Sequence, residues 1–172
     1  MPEGLGSPDL ECVMLDIPPF PVRTYGGPSS DLFYGDTPEL KYAQGAVAET
    51  KAHVTLLFGI HPSSDYRRNV DSVLKGWEIP VVTIDHVGYF PSRIEGQDYN
   101  CVVAHVVPSP LLREANARLQ VLDHTNEYPE YKPHITLVYI KGSANLDRWV
   151  RDLNTQYKGK QFIPAGINYG DD

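Results

Sequence analysis

The tripeptide His53-Val54-Thr55 and its echo 81 residues on, His134-Ile135-Thr136, are the places in this sequence where residue type and spacing suit chemistry. Each is followed by Leu and then by apolar and aromatic residues, so the echo is an internal repeat. Side chains alternate along a strand. His53 and Thr55 would therefore share one face, with Val54, Leu56 and Phe58 on the other; His134 and Thr136 would likewise oppose Ile135, Leu137 and Tyr139. Residues two apart lie roughly 6–7 Å apart along a strand, close enough for one imidazole and one hydroxyl to reach different oxygens of one phosphate. Two such strands facing each other would make a four-point clamp. Breaking a phosphodiester needs a base for the attacking oxygen and an acid for the departing one, and histidine serves as either near neutral pH. The threonine hydroxyls would donate to the nonbridging oxygens as charge builds on them. No metal is required by this scheme. A single His-x-Thr on a strand is ordinarily a core or surface feature; two copies on two expected strands favour the chemical reading.

The elements around the repeat follow from periodicity. Residues 42–48 and 53–60 read as strands. Ser63 or Ser64 caps a helix with Tyr66, Val70, Val73, Leu74 and Trp77 along one stripe, ending near Gly76. Residues 79–90 and 101–107 read as an antiparallel pair joined by the turn-rich segment 91–100. Ser109-Pro110 opens a second helix that turns Leu111, Leu112, Ala115, Leu119 and Leu122 inward. After the strand at 134–140, Asn145 caps a helix carrying Leu146, Trp149, Val150, Leu153 and Tyr157, and one short strand within 161–168 closes the chain. Residues 1–40 hold seven of the 15 prolines and show no sustained period. They read as an irregular acidic arm, with enough apolar residues to wrap onto the body or form a lid, ahead of a domain at 41–172.

The paired His-x-Thr strands, spaced by a helix, an antiparallel pair and a second helix, resemble the 2H phosphoesterase superfamily, which includes RNA 2′,3′-cyclic phosphodiesterases and the so-called 2′-5′ RNA ligases. The resemblance covers roughly residues 42–168. Gly88-Tyr89-Phe90-Pro91 and Tyr128-Pro129-Glu130-Tyr131-Lys132-Pro133-His134 further resemble phage-encoded members, among them anti-CBASS cyclic-oligonucleotide hydrolases. The fold implied is α+β, with two pseudo-symmetric lobes, each an antiparallel sheet with flanking helices, around a central cleft that holds both motifs. The implied function is a metal-independent phosphodiesterase without cofactor, acting on a cyclic oligonucleotide signal or a 2′,3′-cyclic phosphate. An RNA end-processing enzyme and a non-catalytic nucleotide-binding module remain open beside it.

Beyond the four motif residues, the expected substrate contacts are Tyr131 and Lys132, just before the second motif, Lys51, just before the first, and Phe90 as the floor of a base pocket. Each has a plain packing or solvated reading as well. Tyr139 reads as core, and His61, His86, His105 and His124, which lack a Thr two residues on, read as structural. Arg67, Arg68, Arg148 and Arg151 read as solvated helix faces.

Charge narrows the partner. Fifteen bases against 22 acids give a net of −7. Residues 1–50 carry eight acids against Arg23 and Lys41, which leaves the rest nearly neutral, without the basic surplus that tight duplex DNA or long-RNA binding rests on. A small nucleotide, or an RNA end, is the expected partner. Eighteen aromatics and 41% apolar residues provide for a core, while Cys12 and Cys101 suit neither a disulfide framework nor a zinc site. With no bilayer-spanning run and no secretory pattern at the start, the expected location is the cytoplasm, the host's if the chain is phage-encoded.

Overall fold

The structure, a computed structural model, describes residues 10–33, 52–92, 95–126 and 130–171. Strands β1 (Glu11–Asp16), β2 (His53–Ile60), β3 (Val82–Pro91), β4 (Tyr99–Val106), β5 (His134–Lys141), β6 (Gln161–Phe162) and β7 (Gly166–Asn168) form two antiparallel sheets, ordered β2-β1-β7 and β5-β4-β3-β6. Helices α2 (Tyr66–Val73), α3 (Pro110–Leu119) and α4 (Leu146–Tyr157) flank them, with a single turn α1 (Arg23–Gly26) ahead. Among the described residues no helix is long and apolar enough to cross a membrane.

The local signals that set these elements are the ones the sequence carries. Ser109 accepts from the Leu112 amide at 3.4 Å and places Pro110 in the first turn of α3, whose Leu112, Ala115 and Leu119 are buried. Asn145 accepts from the Arg148 amide at 3.1 Å and starts α4, which buries Trp149, Leu153 and Tyr157. Neither expected serine caps α2; Asp65 holds the cap position with no side-chain bond. A turn at residues 74–76 follows that helix, Gly76 taking a positive φ of 78°. The expected strand at 42–48 lies outside the described residues.

The expectation of an irregular arm fails at residues 11–16. Val13, Leu15 and Ile17 alternate with Cys12, Met14 and Asp16, and the three apolar residues are buried. This period of two, short and hemmed by prolines, makes β1 the middle strand of its sheet. The segment after it then crosses to α4, where Gly26 and Gly27 lie flat on Trp149 and Asp31 accepts from the indole nitrogen at 2.7 Å. The single closing strand expected at 161–168 is two: β6 joins β3 and β7 joins β1, so the chain end links the sheets. Pro164, which has no amide hydrogen for a ladder, separates them. The C-terminus is tied to α2 by the Tyr66 hydroxyl, which donates to the Tyr169 carbonyl at 2.5 Å, and by a two-pronged Arg67–Asp171 pair at 2.8 Å.

Candidate active site

The two motif strands meet. β2 lies against β5, and the Tyr131 hydroxyl, just upstream of β5, donates to the Thr55 carbonyl at 2.9 Å. That bond gives Tyr131 a part in holding the two motifs in register.

Both strands break their ladder at the same point. In β2 the partner of Val13 is Leu57 and the partner of Met14 is Thr55, so Leu56 is skipped; in β5 the partner of Val102 is Val138 and that of Val103 is Thr136, so Leu137 is skipped. Each is a bulge at the leucine directly after the motif threonine, a feature enriched next to active sites. Strict alternation therefore fails downstream. Phe58 pairs with Cys12 and Tyr139 with Cys101, which returns both aromatics to the side of their own motif rather than the opposite side. Tyr139 is buried as expected, but against Tyr99, ring centroids 5.3 Å apart. The carbonyl of the bulged Leu56 accepts from Asn116 of α3 at 2.7 Å, and Asn116 accepts in turn from Gln120 at 2.8 Å. Asn116→Leu leaves that carbonyl without its donor and is expected to cost about 1–3 kcal/mol, read as a lower denaturation midpoint with unchanged slope.

His53, Thr55 and Thr136 are partly exposed, whereas His134 is 8% exposed and its Nε2 is buried. His134 Nδ1 lies 3.0 Å from the Lys132 carbonyl. A carbonyl only accepts, so Nδ1 carries the hydrogen and, in the neutral ring, Nε2 carries the lone pair. Asp16 stands opposite His53 on β1, its carboxylate accepting from Asn168 at 3.1 Å; Cys12 Sγ is 3.7 Å from the Thr55 hydroxyl. These β1 neighbours were missed with the arm that bears them, although the alternation of residues 12–17 signals the strand.

Of the other expected contacts, Phe90 packs edge-on against His134, centroids 5.4 Å apart. The Lys132 ammonium is largely exposed, 3.8 Å from Glu130, and Lys51 lies outside the described residues. His61 and His124 are structural, bonded to Thr125 at 2.8 Å and to the Leu122 carbonyl at 2.7 Å. His86 and His105 are different. They stack at 4.6 Å beside the second motif, and sequence alone gives no sign of it because the pairing is across strands. Burial, then the charges of His86 and His134, hold His105 down at about 4 against an ordinary 6.5, with Lys132 adding to the effect and Asp85 opposing it. An unfolded chain binds this proton more readily, so stability is full above about pH 6.5 and falls as pH drops toward 4. His105→Phe should flatten that part of the fall, seen as the difference between the two chains' Tm curves.

A family model described as the 2'-5' RNA ligase superfamily matches residues 36–164, and the chain belongs to that superfamily, the 2H phosphoesterases. The match agrees with the span expected from the motifs. Its fold is similar to that of Usb1 from Kluyveromyces marxianus: TM-score 0.53, 8% identity, 95% of each chain covered. No curated protein matches the chain by sequence. The protein is thus an α+β member of a superfamily of phosphodiester-processing enzymes.

Proposed function

We propose that the chain is a metal-independent phosphodiesterase acting on a small nucleotide, with His53 and His134 exchanging base and acid roles and Thr55 and Thr136 donating to the nonbridging oxygens. What supports the reading is that the two motif strands lie together, bridged by the Tyr131–Thr55 bond. One imidazole takes the proton of the attacking oxygen, the P–O bond to the leaving oxygen breaks, and the other imidazole protonates that oxygen. On a 2′,3′-cyclic phosphate the attacker is water; on a 3′-5′ linkage it is the neighbouring 2′-hydroxyl. Because His134 Nε2 is buried, a covering group has to shift as the phosphate enters. Phe90 beside His134 suits the face of a base, and the Lys132 ammonium a further phosphate.

The near-neutral body favours cyclic oligonucleotide signals, with a role against anti-phage defence in a host cytoplasm, or 2′,3′-cyclic ends, over long RNA. The superfamily's description favours a second reading, an RNA end-processing enzyme. The test is a chelator-containing assay on linear, cyclic and 2′,3′-cyclic nucleotides read by mass. Turnover of cyclic oligonucleotides supports the first reading, and turnover of cyclic-phosphate RNA ends alone supports the second. Ligand bound and recovered intact would make the chain a binding module, and activity lost to chelator and restored by zinc or manganese would overturn the metal-independent scheme. A bell-shaped pH dependence of kcat/KM is expected; a flat profile from about pH 5 to about pH 9 contradicts paired-imidazole chemistry.

A further inference from the structure

Three histidines stand in one row across the sheet that carries the second motif: His86 of β3 opposite His105 of β4, and His105 opposite His134 of β5. The His86 and His105 rings stack with 28° between planes. Phe90, on the His86 face of β3, turns its ring edge-on to both His105 and His134, at 5.7 and 5.4 Å. Gly88 lies between His86 and Phe90 on that strand, and its missing side chain makes room for the row. A Cβ there would stand 3.0 Å from His105 Nε2 and 3.2 Å from its Cδ2.

We propose that His105 is a positioning residue for His134: seated over Gly88 and stacked on His86, its ring braces Phe90 against the His134 imidazole and fixes the ring that exchanges the proton. The proposal rests on the phosphodiesterase reading for the proton's purpose, but the brace itself is geometry. His134 is then held twice, by the Lys132 carbonyl at Nδ1 and by the Phe90 ring at its side. The outer end of the stack is anchored as well, His86 Nδ1 lying 2.6 Å from Asp85.

The groups facing His105 are His86 and Asp85 from β3, His134 from β5 and Lys132 from the segment before it. Its low proton affinity keeps it uncharged at neutral pH, so it does not oppose a proton arriving on His134 next to it. His105 does not meet the substrate in this arrangement and acts only through Phe90.

The test compares the full-length chain with His105→Phe, which keeps a planar ring, and His105→Ala, which removes it. Ring-nitrogen NMR across a pH titration should show one histidine neutral down to about pH 4, absent from both variants. The His134 signals should keep a single Nδ1–H tautomer in the native chain and in His105→Phe, and broaden or mix tautomers in His105→Ala. With the substrate found by the panel above, kcat should fall about tenfold in His105→Ala with KM changed less than about threefold, and His105→Phe should recover most of the loss. Unchanged His134 signals and kcat in His105→Ala overturn the proposal, as does a His105→Phe chain as impaired as the alanine one. If His105→Ala fails to fold, Phe90→Leu replaces it and must disturb His134 in the same way. A chain that turns over no substrate defeats the phosphodiesterase reading, while the NMR arm still decides the brace.

Discussion

Under the proposed chemistry, His53→Ala and His134→Ala should each lower kcat/KM by about 10² to 10⁴, with the double variant little worse than the weaker single one. The size follows from what the proposal asks of each imidazole, one proton transfer in the transition state. The non-additivity is expected if both act on one phosphorus: with either gone, the other completes only half of a concerted transfer. Thr55→Val and Thr136→Val remove a hydroxyl while keeping the strand's branched side chain, and should cost less than the histidines. The measurement is steady-state kinetics with melting curves alongside, since His134 is buried and its loss alters packing too. Full activity in either histidine variant would remove that residue from the chemistry.

Gly59→Ala gives the largest loss of stability expected from a change of one methyl. Gly59 sits near the end of β2 with φ at 94°, a conformation an alanine adopts only under strain, and its added Cβ would fall 1.9 Å from the Thr125 carbonyl oxygen. That carbonyl is backbone and cannot swing aside. The contact is also what docks the segment before β5 onto β2, for the Thr125 amide donates to the Gly59 carbonyl at 2.8 Å and the His61 amide to Asp123 at 2.9 Å. A cost of about 3 kcal/mol is expected, a fall in Tm of roughly 6–12 °C. Gly76→Ala serves as the control, with a positive φ but nothing near its added methyl, and should cost about 1 kcal/mol. Equal melting points for the two variants would show that the Thr125 contact yields.

What was legible in the sequence is what local chemistry decides. Ser109-Pro110 and Asn145 announce their helices because a cap is a bond within three residues. The motif strands are legible because the repeat and the density of β-formers coincide at 53–60 and 134–140. What escaped depends on partners distant in the chain. β1 carries only three alternating apolar residues, Val13, Leu15 and Ile17, and prolines flank them; the sheet, not the segment, makes it a strand. The His86–His105–His134 row exists only through the registers of β3, β4 and β5, and so His86 and His105 were read as structural. The aim of Phe58 and Tyr139 was misread for a related reason, because a skipped residue in a ladder is a property of the pair and leaves no mark in either strand alone.

Those two skipped leucines have a consequence for how the chain tolerates changes in length. At Leu56 and at Leu137 the alternation of the motif strand shifts by one position, which puts Phe58 on the side of His53 and Thr55, and Tyr139 on the side of His134 and Thr136. Deleting Leu56 would close the bulge, leaving Thr55 opposite Met14 and Leu57 opposite Val13 on the faces they already hold, at the cost of the buried Leu56 side chain and of the carbonyl that Asn116 donates to. A change of length is therefore absorbed at Leu56 or Leu137, whereas losing Val54 or Ile135, inside a paired stretch, would turn His53 or His134 to the face opposite its threonine.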